Sequence, residues 1–559
     1  MPLFILKMKF SCILILFLNI GIVLNHACGT DKLKLNLNSL KVPSKEKRIA
    51  KLSKLNAGNY EPIKIGYDFS TLNKPSSMSN TIFNNIKSLL QETREYISKF
   101  LQVVHQNIDI SDYFNDIIDV CEVSYIGSDY SNFLVKNDLI IWPFFEDFDE
   151  GVIAAAAPCL IEHETMRPIG GILYINKKLD FNIQNAEIYM KNILIHEITH
   201  ILVFHPFFFY NLDLIGTRGS INYISSPKVL EQARKHFGCD NLRGIVLEDQ
   251  GGVGSIGSHW ESRYMLGDYM ISTDYPDVAI SDITLALFED SGFYKVNYYS
   301  GGLFKFGKNK GCDFFDTKCI VNGKATFDEF CNVKDEPKCS SSRTLKSSCF
   351  IYDYESLIPY EYRYFGNSHR GGFWPADYCP VALEIFFDDT VDYFPTHCQL
   401  GTSTLSKEYG ETIGKNSFCF MSSLLPESSS NEISQMAICY EVECDTNNNN
   451  IIVKLDNENI ICPTEGGLID NISGFKGSIN CPKYSDICND NGQICNEMFS
   501  CFDELSKKDN IRPSFYDSNG GSIAEIEYDD YDFYYGSDDL IKVNTNLMIL
   551  LALFCLFVN

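Results

Sequence analysis

Two imidazoles and a carboxylate stand at metal-ligand spacing in His196-Glu197-Ile198-Thr199-His200. Residues four apart on a helix lie one above the other, so His196 and His200 can reach a single Zn²⁺ while Glu197 lies beside the ion's open position. Two ligands hold zinc weakly. A third neutral imidazole would fix the ion and still leave one position for water, whose pKa the metal lowers to about 7. Glu197 is then placed to take the water's proton and return it to a departing amine, while the metal polarises a scissile carbonyl. The pattern therefore predicts metal-assisted hydrolysis, provided the chain supplies the third ligand.

The element that must carry this motif runs from Asn185 to Phe204, with Ile188, Met190, Ile193, Leu194, Ile195, Ile198, Ile201 and Leu202 apolar on nearly all sides. Such a helix is buried. Charged and polar groups inside it are costly unless engaged, and metal ligation engages them. Upstream, Pro62–Tyr67 alternates like a strand, and Ile86, Leu89, Leu90, Tyr96, Ile97 and Phe100 recur at helical spacing between Ile82 and Val104. Apolar runs at Leu139–Phe144, Gly151–Ala157 and Gly170–Ile175 are bounded by turn residues and predict strands.

Compact metzincin zinc proteases follow HExxH with a glycine turn and a third histidine within six residues. Here that ligand position is Pro206, which cannot bind zinc, and His205 is one residue out of register, as a helix-end histidine would be. The next candidate is His259, in the stretch Leu247-Glu248-Asp249-Gln250-Gly251-Gly252-Val253-Gly254-Ser255-Ile256-Gly257-Ser258-His259-Trp260-Glu261, with Met270 eleven residues beyond it. This stretch resembles leishmanolysin, the family of GPI-anchored surface metzincins in which an insertion separates HExxH from the third histidine. Ser226-Pro227-Lys228-Val229, His236-Phe237-Gly238-Cys239, Gly311-Cys312-Asp313-Phe314 and Ala376-Asp377-Tyr378-Cys379-Pro380-Val381 resemble further signatures of the family, so the likeness runs from about Tyr60 to Cys501.

The resemblance implies one Zn²⁺ per chain on His196, His200 and His259, with Glu197 as catalytic carboxylate and Met270 as the Met-turn beneath the metal. It also implies a prosegment cysteine that blocks the metal until activation, for which Cys28 is the candidate, and a substrate-binding strand, for which Gly170, Gly171, Ile172 and Leu173 are the counterpart. A plain core strand would read the same way in sequence. One departure stands at Val203, where metzincins carry the glycine that turns the chain. A β-branched residue at positive φ would be strained, so either the helix ends differently, at Phe204-His205-Pro206, or the cleft is altered.

The 559 residues are enough for about three to four domains, and 45% hydrophobic content builds cores readily. A formal charge of -26 argues against nucleic acid as a partner and against charge-driven binding to anionic lipid. Lys7 and Lys9, the apolar Phe10–Val23 and the small residues near Ala27 have the order of a secretory signal peptide, with Met8 an equivalent start. At the other end, the apolar run Leu547–Val558 is shorter than the roughly 20 residues of a spanning helix. With Gly536 and Ser537 and a polar spacer upstream, it reads as a GPI-attachment signal; a short tail anchor or a buried terminal helix is the competing reading.

Of 21 cysteines, Cys12 lies in the signal and Cys555 in the tail. Setting Cys28 aside leaves 18, enough for nine disulfides, and thirteen of those lie between Cys331 and Cys501. Such usage fits an exported chain. Residues 31–54 hold eight Lys or Arg against two acids, and Lys45-Glu46-Lys47-Arg48 looks like a processing site; a solvated basic linker is the plainer alternative. Asn471-Ile472-Ser473 is a glycosylation sequon.

The expected organisation is a signal peptide at 1–27, a prosegment at 28–58, a metzincin-type N-terminal module at 59–205, and a central mixed α/β domain at 206–320 carrying the third histidine and Met-turn. A disulfide-rich, mainly β domain at 321–505 follows, then an acidic stalk at 506–537 and the attachment signal at 538–559. The fold class is α+β. The expected function is zinc-dependent endopeptidase action on proteins or peptides at the extracellular face of the plasma membrane. The alternative is an adhesion or ligand-binding protein that keeps the metal site, with Val203 reporting lost catalysis.

Overall fold

The structure, a computed structural model, describes residues 33, 35–123, 136–148, 152–179, 183–250, 255–273, 275–298, 304–384, 396–401, 409–431, 433–455 and 458–488. The signal peptide, Cys28, the stalk, Gly536, Ser537 and the attachment signal lie outside the described residues.

Helix α1 (Lys45–Leu55) starts at Ser44, whose hydroxyl caps the Lys47 amide. The basic stretch is therefore a docked helix. Arg48 is buried and donates to the Asn211 carbonyl at 2.6 Å, Lys45 pairs with Asp213 at 2.7 Å, and Lys51 pairs with Glu164.

The helical spacing after Ser79 produces α2 (Asn80–Phe100), which buries Ile86, Leu89, Leu90, Tyr96, Ile97 and Phe100. It belongs to a layer over a four-stranded sheet of β1 (Ile65–Tyr67), β2 (Leu139–Glu146), β3 (Ala154–Ile161) and β4 (Pro168–Asn176). The order is β1-β2-β4-β3, with β1, β2 and β4 parallel and β3 antiparallel at the edge. Helix α3 (Ala186–Leu202) carries the HExxH motif and packs on β3, β4 and α2. It can approach the sheet because Gly171 has no side chain: a Cβ there would stand 2.4 Å from Ile201 Cγ2.

After α3 the chain turns into α4 (Pro206–Asn211). His205 is its N-cap, accepting from the Phe207 amide at 3.1 Å, and Pro206 occupies the first turn where its missing N–H costs nothing. A three-stranded antiparallel sheet (Ile215–Arg218, Ile221–Ile224, Ile245–Val246), helix α5 (Pro227–Phe237) and helix α6 (Asp282–Asp290) follow. One continuous apolar core runs from Leu40 to Leu383, so the predicted N-terminal and central domains share it across residue 205.

A second core, Phe418 to Cys488, lies under a six-stranded antiparallel sheet. Its strands are β5 (Ser417–Ser422), β6 (Met436–Asp445), β7 (Asn450–Lys454), β8 (Asn459–Cys462), β9 (Gly467–Ile469) and β10 (Ile479–Cys481), in the order β8-β7-β6-β5-β10-β9. Residues 446–449, which include Asn447, Asn448 and Asn449, form the loop of the β6–β7 hairpin between the paired Asp445 and Asn450. Eight disulfides pair sixteen of the 18 expected cysteines. The other two, Cys495 and Cys501, lie outside the described residues. Cys339–Cys419 ties the chain of the first core to the β5 strand of the second.

Candidate metal centre

His196 and His200, one turn apart on α3, meet His259 from the loop that follows the central sheet. The Nε2 atoms of His200 and His259 lie 3.1 Å and 3.3 Å from the Nε2 of His196. All three rings are buried. Each Nδ1 is engaged on its far side: His196 donates to the Tyr269 carbonyl at 2.6 Å and His200 to the Phe204 carbonyl at 2.7 Å, while His259 Nδ1 lies 3.2 Å from the Ser255 carbonyl. These partners fix the tautomer, placing protons on Nδ1 and lone pairs on Nε2.

Lone pairs facing one another at such distances repel unless a cation lies between them. Nitrogens about 2.0–2.1 Å from a tetrahedral ion stand about 3.3 Å apart, which matches the observed separations. The three imidazoles therefore form a group able to hold a metal ion. Burial keeps His196 and His200 in the ligating state: it lowers the His196 pKa to about 4, and it holds His200 well below the ordinary range, helped by the repulsion of His196 and His259.

Several positioning residues carry no motif and were not expected from sequence. Tyr269, whose carbonyl orients His196, also shares a hydrogen bond with Thr199 of α3 at 3.0 Å. Asp268 accepts from the Met270 amide and the Thr284 hydroxyl, both at 2.8 Å, and so clamps the turn. The Met270 carbonyl accepts from the Trp260 amide at 3.0 Å, which joins the Met270 turn directly to the residue after His259. The signal that could have revealed them is a run of polar residues at positions that the apolar pattern makes core.

Glu197 is fully buried beside His196 on α3. His205 is not among the converging imidazoles; it caps α4, and burial pushes its pKa down to about 4. Cys28 lies outside the described residues. The expectation for Gly170, Gly171, Ile172 and Leu173 needs correction: this segment of β4 pairs with β2 on one side and β3 on the other, so its backbone has no free edge for a substrate. The sheet's edge next to it is β3. The two glycines serve packing instead, Gly170 against Trp142 and Leu160, Gly171 against Ile201.

The strain expected at Val203 is absent. Its φ is -161°, extended backbone open to any residue, and the Thr199 carbonyl accepts from both the Val203 amide at 3.0 Å and the Phe204 amide at 2.9 Å. The helix ends at Leu202, and the chain passes through Val203 and Phe204 to the His205 cap of α4 without a left-handed glycine.

The sequence model of the leishmanolysin family matches residues 80–494, which spans α2, all three imidazoles, Met270 and the second core. The chain belongs to the leishmanolysin family. A leishmanolysin homolog of Crithidia fasciculata is 29% identical over 379 residues, covering 64% of this chain and 56% of that protein. Leishmanolysin of Leishmania major is 26% identical over 444 residues, covering 74% and 69%. A leishmanolysin-like peptidase of Caenorhabditis elegans is 30% identical over 310 residues, covering 49% and 47%. The aligned part of the chain thus spans between about half and two thirds of these leishmanolysin relatives. The family match begins at the first residue of α2, so the basic helix α1 precedes it.

Proposed function

We propose that this leishmanolysin-family chain is a zinc-dependent endopeptidase with a metzincin-type catalytic half. The observation that carries the reading is the convergence of three Nε2 lone pairs in a buried pocket, each backed by an acceptor on Nδ1. An all-imidazole set suits Zn²⁺, which when bound supplies Lewis acidity and brings the pKa of water to about 7. His196, His200 and His259 would hold the ion, and their neutral state leaves its charge undiminished. Glu197, next to His196, would accept the proton of the attacking water and pass it to the leaving amine nitrogen. Met270, on the turn that orients His196 through Tyr269, would floor the site with an apolar side chain.

Substrates are protein or peptide chains in this reading, and β3 is the strand on which an extended backbone would dock by strand addition. We further propose export, a membrane tether through a GPI anchor at Gly536 or Ser537, and a precursor blocked by Cys28. Release from cells by a phosphatidylinositol-specific phospholipase tests the anchor, and a Cys28→Ala precursor more active than wild type tests the block. The adhesion alternative drew its motive from strain at Val203, which the backbone lacks. A peptide-library assay on activated protein tests the main reading: cleavage should stop with a zinc chelator and return with added Zn²⁺, and cleavage indifferent to chelation would overturn it.

A further inference from the structure

A second group of metal-binding side chains lies beside the His259 loop and has no part in the chemistry above. One carboxylate oxygen from each of Glu248, Asp249 and Glu261 lies within 4.8 Å of the others. Glu248 and Glu261 are each 1% exposed, whereas Asp249 is half-buried. Asp377 joins them from a distant part of the chain, its Oδ1 accepting from the Gln250 side chain at 2.8 Å.

Desolvated carboxylates at this spacing repel, and a buried charge is tolerated only when paired or bound to metal. Among the described residues no lysine or arginine forms an ion pair with any of the four. Arg263 is the nearest cation and its charge favours the ionised Asp377, yet its guanidinium makes its hydrogen bonds elsewhere, to the Tyr364 hydroxyl, the Cys379 sulfur and the Thr317 carbonyl. Independently of the clustering, Glu261 Oε2 is buried with no hydrogen-bond partner, while Oε1 accepts from the Arg263 amide at 3.1 Å. An oxygen left in that condition costs free energy unless something sits against it.

We propose that Glu248, Asp249 and Glu261, with Asp377 beside them, form a second metal site that binds a hard divalent cation of the calcium class. The donor set is all oxygen, without imidazole or thiolate, which favours Ca²⁺, Mg²⁺ or Mn²⁺ over Zn²⁺. Oxygens 2.3–2.6 Å from Ca²⁺ on opposite sides are about 4.6–5.2 Å apart, so a single ion reaches all three. Supporting hydrogen bonds of the kind that orient metal ligands are in place: Glu248 accepts from the Gln250 amide at 2.8 Å and the Ser272 hydroxyl at 3.1 Å. The half-buried Asp249 and Asp377 give the ion an entry side and room for water ligands. The site's role is mechanical. The Glu248 amide donates to the His259 carbonyl at 2.9 Å, so a cation here pins the loop that presents the third imidazole.

The test uses the full chain and two probes. Equilibrium dialysis with Ca²⁺ should give one Ca²⁺ per chain without displacing zinc. Tb³⁺ should give luminescence sensitised through Tyr362, which hydrogen-bonds Asp377, and Ca²⁺ should quench it by displacement. Asp249→Asn, at a half-exposed position where folding is safe, should weaken both signals by about tenfold or more and leave zinc content unchanged. Absence of Ca²⁺ binding and of sensitised luminescence in the wild-type chain would overturn the proposal, as would Ca²⁺ binding equally tight in Asp249→Asn. Because zinc content is read separately, failure here is distinct from failure of the peptidase reading.

Discussion

The seating of α3 on the sheet can be tested at Gly171. An alanine Cβ there would lie 2.4 Å from Ile201 Cγ2 and 2.8 Å from both Cγ1 and Cδ1, whereas carbon atoms pack best at about 3.5–4.0 Å. Ile201 is fully buried and has nowhere to rotate, so α3 must back away by about 1 Å. Overpacking of this kind costs about 1–3 kcal/mol. Ile201→Ala alone removes all three clashing atoms but leaves a cavity, at about 2–5 kcal/mol. In the double variant the alanine Cβ enters space that Ile201 vacated, so the two effects should offset and the pair should be no less stable than Ile201→Ala alone. Denaturant midpoints for the four proteins, read with zinc content, complete the cycle. Gly171→Ala should also lose zinc affinity, since His200 precedes Ile201 on the displaced helix. Simple additivity of the two substitutions would refute the claim that Gly171 sets the distance between the metal-binding helix and the sheet.

Val203→Gly should lower stability, by loss of a buried side chain and by added backbone freedom, and should leave kcat/KM no higher; a rise in kcat/KM would restore strain at this position. Arg48→Ala removes a buried charged donor to the Asn211 carbonyl and should cost about 1.5–3 kcal/mol, with faster limited proteolysis across α1; unchanged resistance would mean the helix does not hold the chain after α3. His397 gives a pH test. Burial depresses its pKa to about 3, so the unfolded chain binds more protons below the ordinary imidazole value of about 6.5. Its contribution is whole above that value and is lost as pH falls towards 3, at up to about 1.4 kcal/mol per pH unit. His397→Asn keeps an acceptor for the Gln399 and Leu400 amides but cannot titrate, so its stability should fall less steeply between those limits; parallel curves would contradict the assignment.

The metal centre was largely legible because its information is local or chemical. Four-residue spacing on one helix brings His196 and His200 together whatever surrounds them, ligand chemistry and register set aside Pro206 and His205, and the family resemblance pointed to His259. The strands at Leu139 and Gly170 were legible from apolar runs, and the one at Ile65 from alternation. Their order was not, because which strand lies at an edge depends on pairings far apart in sequence, and that is why the Gly170–Leu173 strand reads as an available edge when the edge beside it is β3. Val203 misled for a related reason: the residue type restricts positive φ, but only the path through Phe204 to the His205 cap shows that positive φ is not needed. The basic segment read as linker or processing site from its charge, while its docking depends on single acceptors such as the Asn211 carbonyl, which no pattern announces.

The most direct test of the central claim is kcat/KM for peptide cleavage by Glu197→Gln, measured beside metal content. The substitution removes a proton acceptor and none of the three imidazoles, so the variant should keep one zinc per chain while kcat/KM falls by about 10²–10⁴-fold. A variant that holds zinc and cleaves as fast as wild type would contradict the account.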